Sequence, residues 1–326
     1  MTTFLQFEPI YQERVWGGRG LESYLGRKLP GSTPIGESWE LVDRAEAQSV
    51  VSAGAWKGKT LREILETNSA EIMGPAWPKE RPFPILVKWL DCRDKLSVQV
   101  HPPAAIAPKL GGEPKTENWY FGKTDPGAAV YAGLRPGVTR ESFEEAIGAG
   151  TVDQCLDRLP VRDGDSLLIH SGTMHAIDAG NVILEIQQNS DTTYRVYDWG
   201  RVGLDGKPRT LHVQQSLESL SANVSPPPRL FRSEKPADVL VRCREFQIRR
   251  TRLAAGATLT FAAGEQARIL SVVEGEVECE TSPGEGETVK LGANVLLPFA
   301  HGLTFVAKTP AVVLVTENFS HENIPR

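Results

Sequence analysis

"EIQQNSDTTYRVYDWGR", residues 185–201, is the stretch on which the reading of this chain turns. It follows the apolar run Val182-Ile183-Leu184. Strand alternation carries Leu184 and Ile186 to one face and Glu185, Gln187 and Asn189 to the other. Ser190, Asp191, Thr192 and Thr193 come next, before a strand pattern resumes at Tyr194-Arg195-Val196-Tyr197. No glycine or proline interrupts residues 181–199, so the polar run is not an ordinary turn between strands. Amides, hydroxyls and carboxylates gathered around one arginine at a strand end mark the wall of a site.

The same punctuated strand pattern extends in both directions. With 30 glycines and 23 prolines between short apolar runs, the chain reads as mainly β. "SWELVD" (38–43), "FPILVKWLD" (83–91), "KLSVQVH" (95–101), "SLLIH" (166–170) and "NVILEIQQN" (181–189) are predicted strands. So are "FQIRRTRL" (246–253), "ARILSVVEGEVECE" (267–280), "NVLLPF" (294–299) and "AVVLVTEN" (311–318). Helical spacing is confined to "LREILETN" (61–68), "RESFEEAIGAG" (140–150), "TVDQCLDRL" (151–159) and "LHVQQSLESLS" (211–221). The third opens on Thr151 with Gln154 three residues on, a capping-box pattern. These elements predict a β-sandwich domain over 1–220 with a small helical insertion at about 130–160. A stiff proline-rich linker follows at 221–234, then a smaller all-β domain over 235–326. "GDSLLIHSGTMHAI" (164–177) and "GANVLLPFAHGLTF" (292–305) echo one another as glycine, short strand, turn and histidine. The second copy lacks the polar company of the first, so one working and one structural domain are expected.

Composition narrows the class. The 326 residues, 40% hydrophobic, suffice for one large or two ordinary domains, and the net charge of −5 argues against nucleic acid as the main partner. The dense basic run 242–252 reads as a solvated strand face. Cys92, Cys155, Cys243 and Cys279 form no CxxC pair and are expected as reduced thiols. The N-terminal residues show no signal-peptide pattern, and no apolar run approaches the ~20 residues of a bilayer span. A cytoplasmic protein with no membrane partner is expected.

In "KLSVQVHPP", alternation places Ser97, Gln99 and His101 on one face and Leu96, Val98 and Val100 on an apolar core face. His175 follows a turn in "HSGTMHA", and Glu117 stands in the glycine-opened loop "GGEPKTENWY". Together Gln99, His101, Glu117 and His175 offer two imidazoles, a carboxylate and an amide oxygen, a fitting divalent-metal set that leaves a position for substrate. The alternative is that both histidines are turn or core residues bonded to backbone. No Walker loop, G-x-S-x-G elbow, HExxH or dinucleotide fingerprint is present, and "GGRG" (17–20) reads as a turn.

Residues 185–201 resemble the signature of the type I mannose-6-phosphate isomerases, zinc-dependent enzymes of the cupin class. "RVWGG" (14–18), "IGESWELVD" (35–43), "KWLDCRDKLSVQVHPP" (88–103), "KTENWY" (115–120) and "SGTMHAI" (171–177) resemble blocks of the same family in the same order. The resemblance implies a cupin (jelly-roll) catalytic domain with a second, cupin-like β domain. It places the metal ligands, for one Zn2+ per chain, on Gln99, His101, Glu117 and His175. Lys115 and Arg195 fall at the active site. Segment 164–175 also resembles the second cupin motif, with His170 where that motif has proline and Ala179 where it often has asparagine.

The implied reaction interconverts mannose 6-phosphate and fructose 6-phosphate through an enediol. A divalent ion with one anionic ligand keeps net positive charge and can polarise the sugar oxygens. Arg195 offers a fork of donors to an oxyanion or phosphate. Cationic neighbours are expected to push the Lys115 pKa down toward acid–base duty. Ser97, Lys88 and Glu185 are the expected substrate contacts, Ser97 and Lys88 toward the phosphate; Trp16, Glu37 and Trp119 are candidates to close the pocket. A sugar-phosphate substrate and a monomer or weak homodimer complete the expectation. The rivals are a related cupin isomerase for another sugar or sugar phosphate, a different metal-dependent cupin enzyme, and a non-catalytic sugar-binding protein.

Overall fold

The computed structural model describes residues 4–221, 223, 225–282 and 285–319; the rest of the expected linker and of the C-terminal domain lies outside the described residues. The chain forms two compact units. One gathers Tyr11–Ser38 and Lys88–Arg232, the other Met1–Ile10, Trp39–Val87 and Ser233–Arg326. The division thus differs from a single cut after residue 220, because Met1–Ile10 and the internal segment Trp39–Val87 group with the C-terminal strands.

The site-bearing unit is a two-sheet sandwich. The larger sheet runs in the order Leu230–Phe231, Ser166–Ile169, Glu117–Thr124, Asn181–Gln188, Ile85–Cys92, Ile35–Leu41 and Ile10–Gly18. The smaller runs Leu156–Pro160, Ala129–Leu134, His175–Ile177, Val98–Val100 and Tyr194–Tyr197. Apolar side chains from both, including Trp119, Phe121, Ile183, Val130 and Ile177, fill the space between them. Val98 and Val100 face the other way, into a second core with Tyr131, Tyr194, Val196, Phe143 and Leu217. That outer core is covered by the helices Arg140–Ala149 and Val213–Ser221, which contribute Phe143 and Leu217. The apolar face of "SVQV" therefore packs outward under helices, and its polar face looks into the sandwich. Leu96 departs from the expected alternation, since the strand begins only at Val98 and Leu96 joins the inner core.

Local chemistry explains what formed. Thr139 caps the helix Arg140–Ala149 through a reciprocal box with Ser142, and Gly150 ends it at φ 71°. The expected helix over 151–159 is instead a 3₁₀ turn, Val152–Cys155, and a strand, Leu156–Pro160. Thr151 makes no side-chain cap, and pairing with Ala129–Leu134 supplies this backbone with sheet hydrogen bonds. "GGRG" leads from a strand into the short helix Gly20–Leu25 rather than forming a bare turn. The end of the proline-rich segment is likewise ordered, with Leu230–Phe231 paired to Ser166–Leu167 and Arg232 Nε bonded to both Asp165 oxygens.

The other unit holds a six-stranded and a four-stranded antiparallel sheet around Phe261, Phe305, Val313 and Val315. Its basic run is not simply solvated. Arg250 is buried, with Nη2 donating to Ser233 O at 2.7 Å, and Arg249 pairs with Glu317. All four cysteines are free thiols. Among the described residues, no helix is long and apolar enough to cross a membrane.

Candidate active site

Sheet register brings the polar residues into one row. Ala132, His175, Gln99 and Arg195 pair in turn across four neighbouring strands, so their side chains share one face of the smaller sheet. His101 follows the end of the same strand as Gln99. Glu117 comes from the facing sheet as the first residue of the strand Glu117–Thr124, not from a loop. His101, Glu117 and His175 are fully buried, and a ligand atom of each lies within 4.8 Å of the others. His101 Nε2 is 3.4 Å from Glu117 Oε2, and His175 Nε2 is 3.4 Å from Glu117 Oε1.

These three side chains fit a metal ion. Donors bonded tetrahedrally at ~2.0–2.1 Å stand about 3.4 Å apart, the separation found between each histidine Nε2 and its nearer Glu117 oxygen. His101 Nδ1 bonds Thr192 O at 2.7 Å and His175 Nδ1 bonds Thr173 O at 2.9 Å, which leaves both Nε2 lone pairs turned inward. His101 Nε2 and Glu117 Oε1 are buried without a hydrogen bond, an arrangement that is costly unless a ligand completes it. Backbone bonding of the histidines and metal binding are thus compatible, since the first uses Nδ1 and leaves Nε2 for the second. Gln99 Nε2 lies 3.3 Å from His175 Nε2, with its oxygen toward Ser97 Oγ. Rotating the amide by half a turn presents Oε1 to the centre.

Charge settles around the group in a definite way. Burial pushes His175 down to about 3 and also lowers His101, so both imidazoles are neutral at pH 7. Burial alone would raise Glu117, but Lys115 and His101 outweigh it and hold the carboxylate well below its usual range. Lys115 Nζ is 2.6 Å from Glu117 Oε2 and 3.4 Å from Glu185 Oε1. Among the protein groups alone its pKa is raised: burial lowers it, yet the two carboxylates prevail. Glu185 is raised by burial and by Glu117, and its Oε2 accepts from Trp119 Nε1 at 3.0 Å.

A cleft of about 440 Å³ opens above these groups. Ser97, Lys88, Gln99, Lys115, Glu185 and Arg195, all expected at the site, line it, as do Trp16 and Glu37. Trp119 does not line it; the ring stands edge-on to His175 from behind. Arg195 Nε donates to Ser97 Oγ at 3.2 Å and Nη1 to Thr210 O at 3.0 Å. Lys88 is buried between Glu37 and Asp191, 3.4 Å from each, so it does not snorkel to solvent. Arg14, Arg209 and His212 also line the cleft. Arg14 stood inside the "RVWGG" block; Arg209 lies in a polar loop with no periodicity to single it out, and His212, expected within a helix over 211–221, instead precedes the helix Val213–Ser221. Within the 185–201 stretch, Gln187 Nε2 ties down the turn through Gln188 O and Ser190 O, and the Thr192 carbonyl holds His101.

A sandwich whose interior is polar at one end, with imidazoles and a carboxylate converging under an open cleft, is a cupin fold carrying a metal-type centre. The sequence matches the family described as phosphomannose isomerase type I, catalytic domain, over residues 4–126. The mannose-6-phosphate isomerase of Streptococcus mutans serotype c is 41% identical over 229 residues, covering 67% of this chain and 71% of that protein. Mannose-6-phosphate isomerase ManA of Bacillus subtilis is 36% identical over 307 residues, 91% of this chain and 94% of its own length. The crystal structure of the mannose 6-phosphate isomerase from Bacillus subtilis superposes with a TM-score of 0.85 at 28% identity, covering 97% of this chain and all of that one. The chain belongs to the type I phosphomannose isomerase family.

Proposed function

We propose that this chain interconverts mannose 6-phosphate and fructose 6-phosphate in the 440 Å³ cleft, with one Zn2+ at its floor. The observation that carries the reading is the convergence of His101, Glu117 and His175, with His101 Nε2 and Glu117 Oε1 buried without a hydrogen bond. Gln99 completes the donor set, and two imidazoles, a carboxylate and an amide suit zinc. When bound, the ion supplies Lewis acidity to the sugar's carbonyl and hydroxyl oxygens.

The reaction moves one proton between C2 and C1 and another between the two oxygens, through an enediol. Lys115, protonated and clamped by Glu117 and Glu185, donates to a sugar oxygen and holds it as charge develops. Arg195, next to Gln99 in the row, keeps its charge and aims the remaining guanidinium donors at the same oxygens. Ser97 and Lys88 donate to sugar hydroxyls, while Glu185 fixes the lysine from behind and borders the substrate. Burial of these groups strengthens each interaction, since the cleft wall excludes water from them.

The same reading places the chain in the cytoplasm, where the reducing milieu keeps its four cysteines as thiols, as a monomer or weak homodimer. The experiment is a comparison of purified protein on mannose 6-phosphate, free mannose and other hexose 6-phosphates, following ketose formation. A clear preference for mannose 6-phosphate supports the assignment, and faster turnover of another sugar overturns it.

A further inference from the structure

In the strand Ile85–Cys92, Leu90 and Cys92 point into the sandwich core, so Asp91 between them leaves through the other face of the sheet. There it lines a second cleft, of about 720 Å³, that shares no residue with the first. Gly18, Arg19 and Gly20, from the "GGRG" segment that takes no part in the catalytic cleft, form one wall. Glycine is needed there. A Cβ on Gly20 would stand 2.6 Å from Asp91 Oδ1, and one on Gly18 3.0 Å from Oδ2. The backbone is thus drawn up against the carboxylate, and Gly20 N–H donates to Oδ2 at 2.5 Å.

Asp91 is only 4% exposed, yet Oδ1 has neither a hydrogen bond nor an ion pair among the described residues. Burial raises its pKa, as expected of a carboxylate short of donors. A buried acceptor in that condition is costly unless a ligand donates to it. The cations that line the cleft are already matched: Arg19 by Glu22, Arg93 by Asp125 and Lys123 by Asp163.

This charge pattern selects the ligand. An anion would meet the unmatched group as a like charge. A cation would sit among three positive side chains whose carboxylates are taken, and a divalent ion such as calcium would need about six oxygens where one is free. A neutral molecule rich in hydroxyls fits: it donates to Asp91 Oδ1 and accepts from the exposed Arg93 and Lys123. Tyr24 adds an aromatic wall for the carbon face of a sugar ring. It is held by its hydroxyl bond to Gly122 O at 2.9 Å and by edge-on packing against Trp89.

We propose that this cleft is a second, non-catalytic binding site for a neutral polyol of about hexose size, anchored by a hydroxyl donating to Asp91 Oδ1. It stands apart from the chemistry, since Lys123 lies about 20 Å along its strand from Glu117. The site does not depend on which reaction the first cleft performs.

The test is binding of methyl α-D-mannopyranoside, which has no free carbonyl to isomerise, to the metal-loaded full-length protein by calorimetry and saturation-transfer NMR. A Kd on the order of 1 mM is expected for such a small neutral ligand. Asp91→Asn should weaken binding about tenfold or more, the loss of a hydrogen bond to a charged group. Should Asp91→Asn fail to fold, Ser23→Trp, at an exposed position lining the same cleft, is expected to abolish binding by filling the space. Arg195→Gln, in the other cleft, should leave the affinity unchanged. Absence of binding in the parent protein, or binding that survives both Asp91→Asn and Ser23→Trp, would overturn the proposal. Binding lost in Arg195→Gln would do the same, by placing the ring in the catalytic cleft. Displacement by equal concentrations of inorganic phosphate or calcium would also overturn it, because the cleft would then be taking an ion. A protein that passes these tests but does not turn over mannose 6-phosphate keeps the polyol site and loses the isomerase reading.

Discussion

His175 and His301 occupy matching places in the two units and do different work. Each follows a glycine with positive φ, Gly164 at 83° and Gly292 at 87°, and then a four-residue strand, Ser166–Ile169 or Asn294–Leu297. His175 is the first residue of the next strand and points into a polar interior. His301 stops two residues short of Leu303–Ala307, is about a third exposed, and pairs with Glu71 at 3.1 Å. The buried glutamates make the same contrast. Glu117 Oε1 has no hydrogen bond, whereas both Glu317 oxygens are bonded, by Gln247, Arg249 and Arg268. One unit keeps a buried polar group unsatisfied and poised for a ligand; the other spends the same chemistry on a closed network. The other unit also buries unpartnered atoms, such as Ser271 Oγ and Thr316 Oγ1, so what marks the site is that imidazoles and a carboxylate converge there, the one such cluster among the described residues.

The contrast is most easily broken at the histidines. His175→Ala is expected to cost metal affinity beyond the ~10–100-fold typical of losing an outer-shell partner, and to abolish measurable isomerisation. His301→Ala should leave metal content and rate within about twofold, since surface substitutions away from such features change little. Metal analysis by mass spectrometry and a coupled rate assay read both.

Next in size is Lys115→Met. A fall in kcat of about 10²–10⁴-fold with metal retained is expected, in the range of positioned proton donors. Loss of metal together with rate would instead make Lys115 only a support for Glu117.

Much of this centre was visible in the linear sequence, because strand alternation is local. "SVQVH" separates Gln99 and His101 from Val98 and Val100 without any knowledge of the partner strands. What alternation could not show is which face is the inside of the sandwich; the helices at Arg140–Ala149 and Val213–Ser221 decide that by covering the valines. Arg209 and His212 were illegible for a related reason. They reach the cleft through a loop whose path is set by Asp198 and by bonds to Arg195, contacts with no periodic trace. The second carboxylate beside Lys115 was illegible for the same reason, since Glu185 lies seventy residues away in sequence.

Glu317→Gln sharpens the other half of the comparison. Removing the charge leaves Arg268 and Arg249 with a neutral partner in a largely buried network, at a cost on the order of 3 kcal/mol in stability with the rate per folded molecule unchanged. Burial alone would raise the Glu317 pKa, yet bonds from Arg249 and Arg268 lower it overall. Its contribution is therefore full above the ordinary glutamate pKa, about 4.3, and is lost as the pH falls through the lower folded value. Acid unfolding curves should be shallower in Glu317→Gln than in the parent. The smallest effect concerns the helical cover. Thr139→Ala should lower stability by about 1 kcal/mol through loss of the capping box, while Thr151→Ala, at a position without a side-chain cap, should change it by only a few tenths. Equal losses at both would mean that capping does not explain why only the first segment is helical.

The proposed role of the His101–Glu117–His175 group is to hold the metal on which isomerisation depends. It is tested most directly by measuring metal content and mannose 6-phosphate isomerase rate on one sample, before chelation, after it, and after adding back zinc. One metal per chain, with rate and metal lost together and restored together, is the predicted result. A protein stripped of metal that isomerises at its original rate would contradict it.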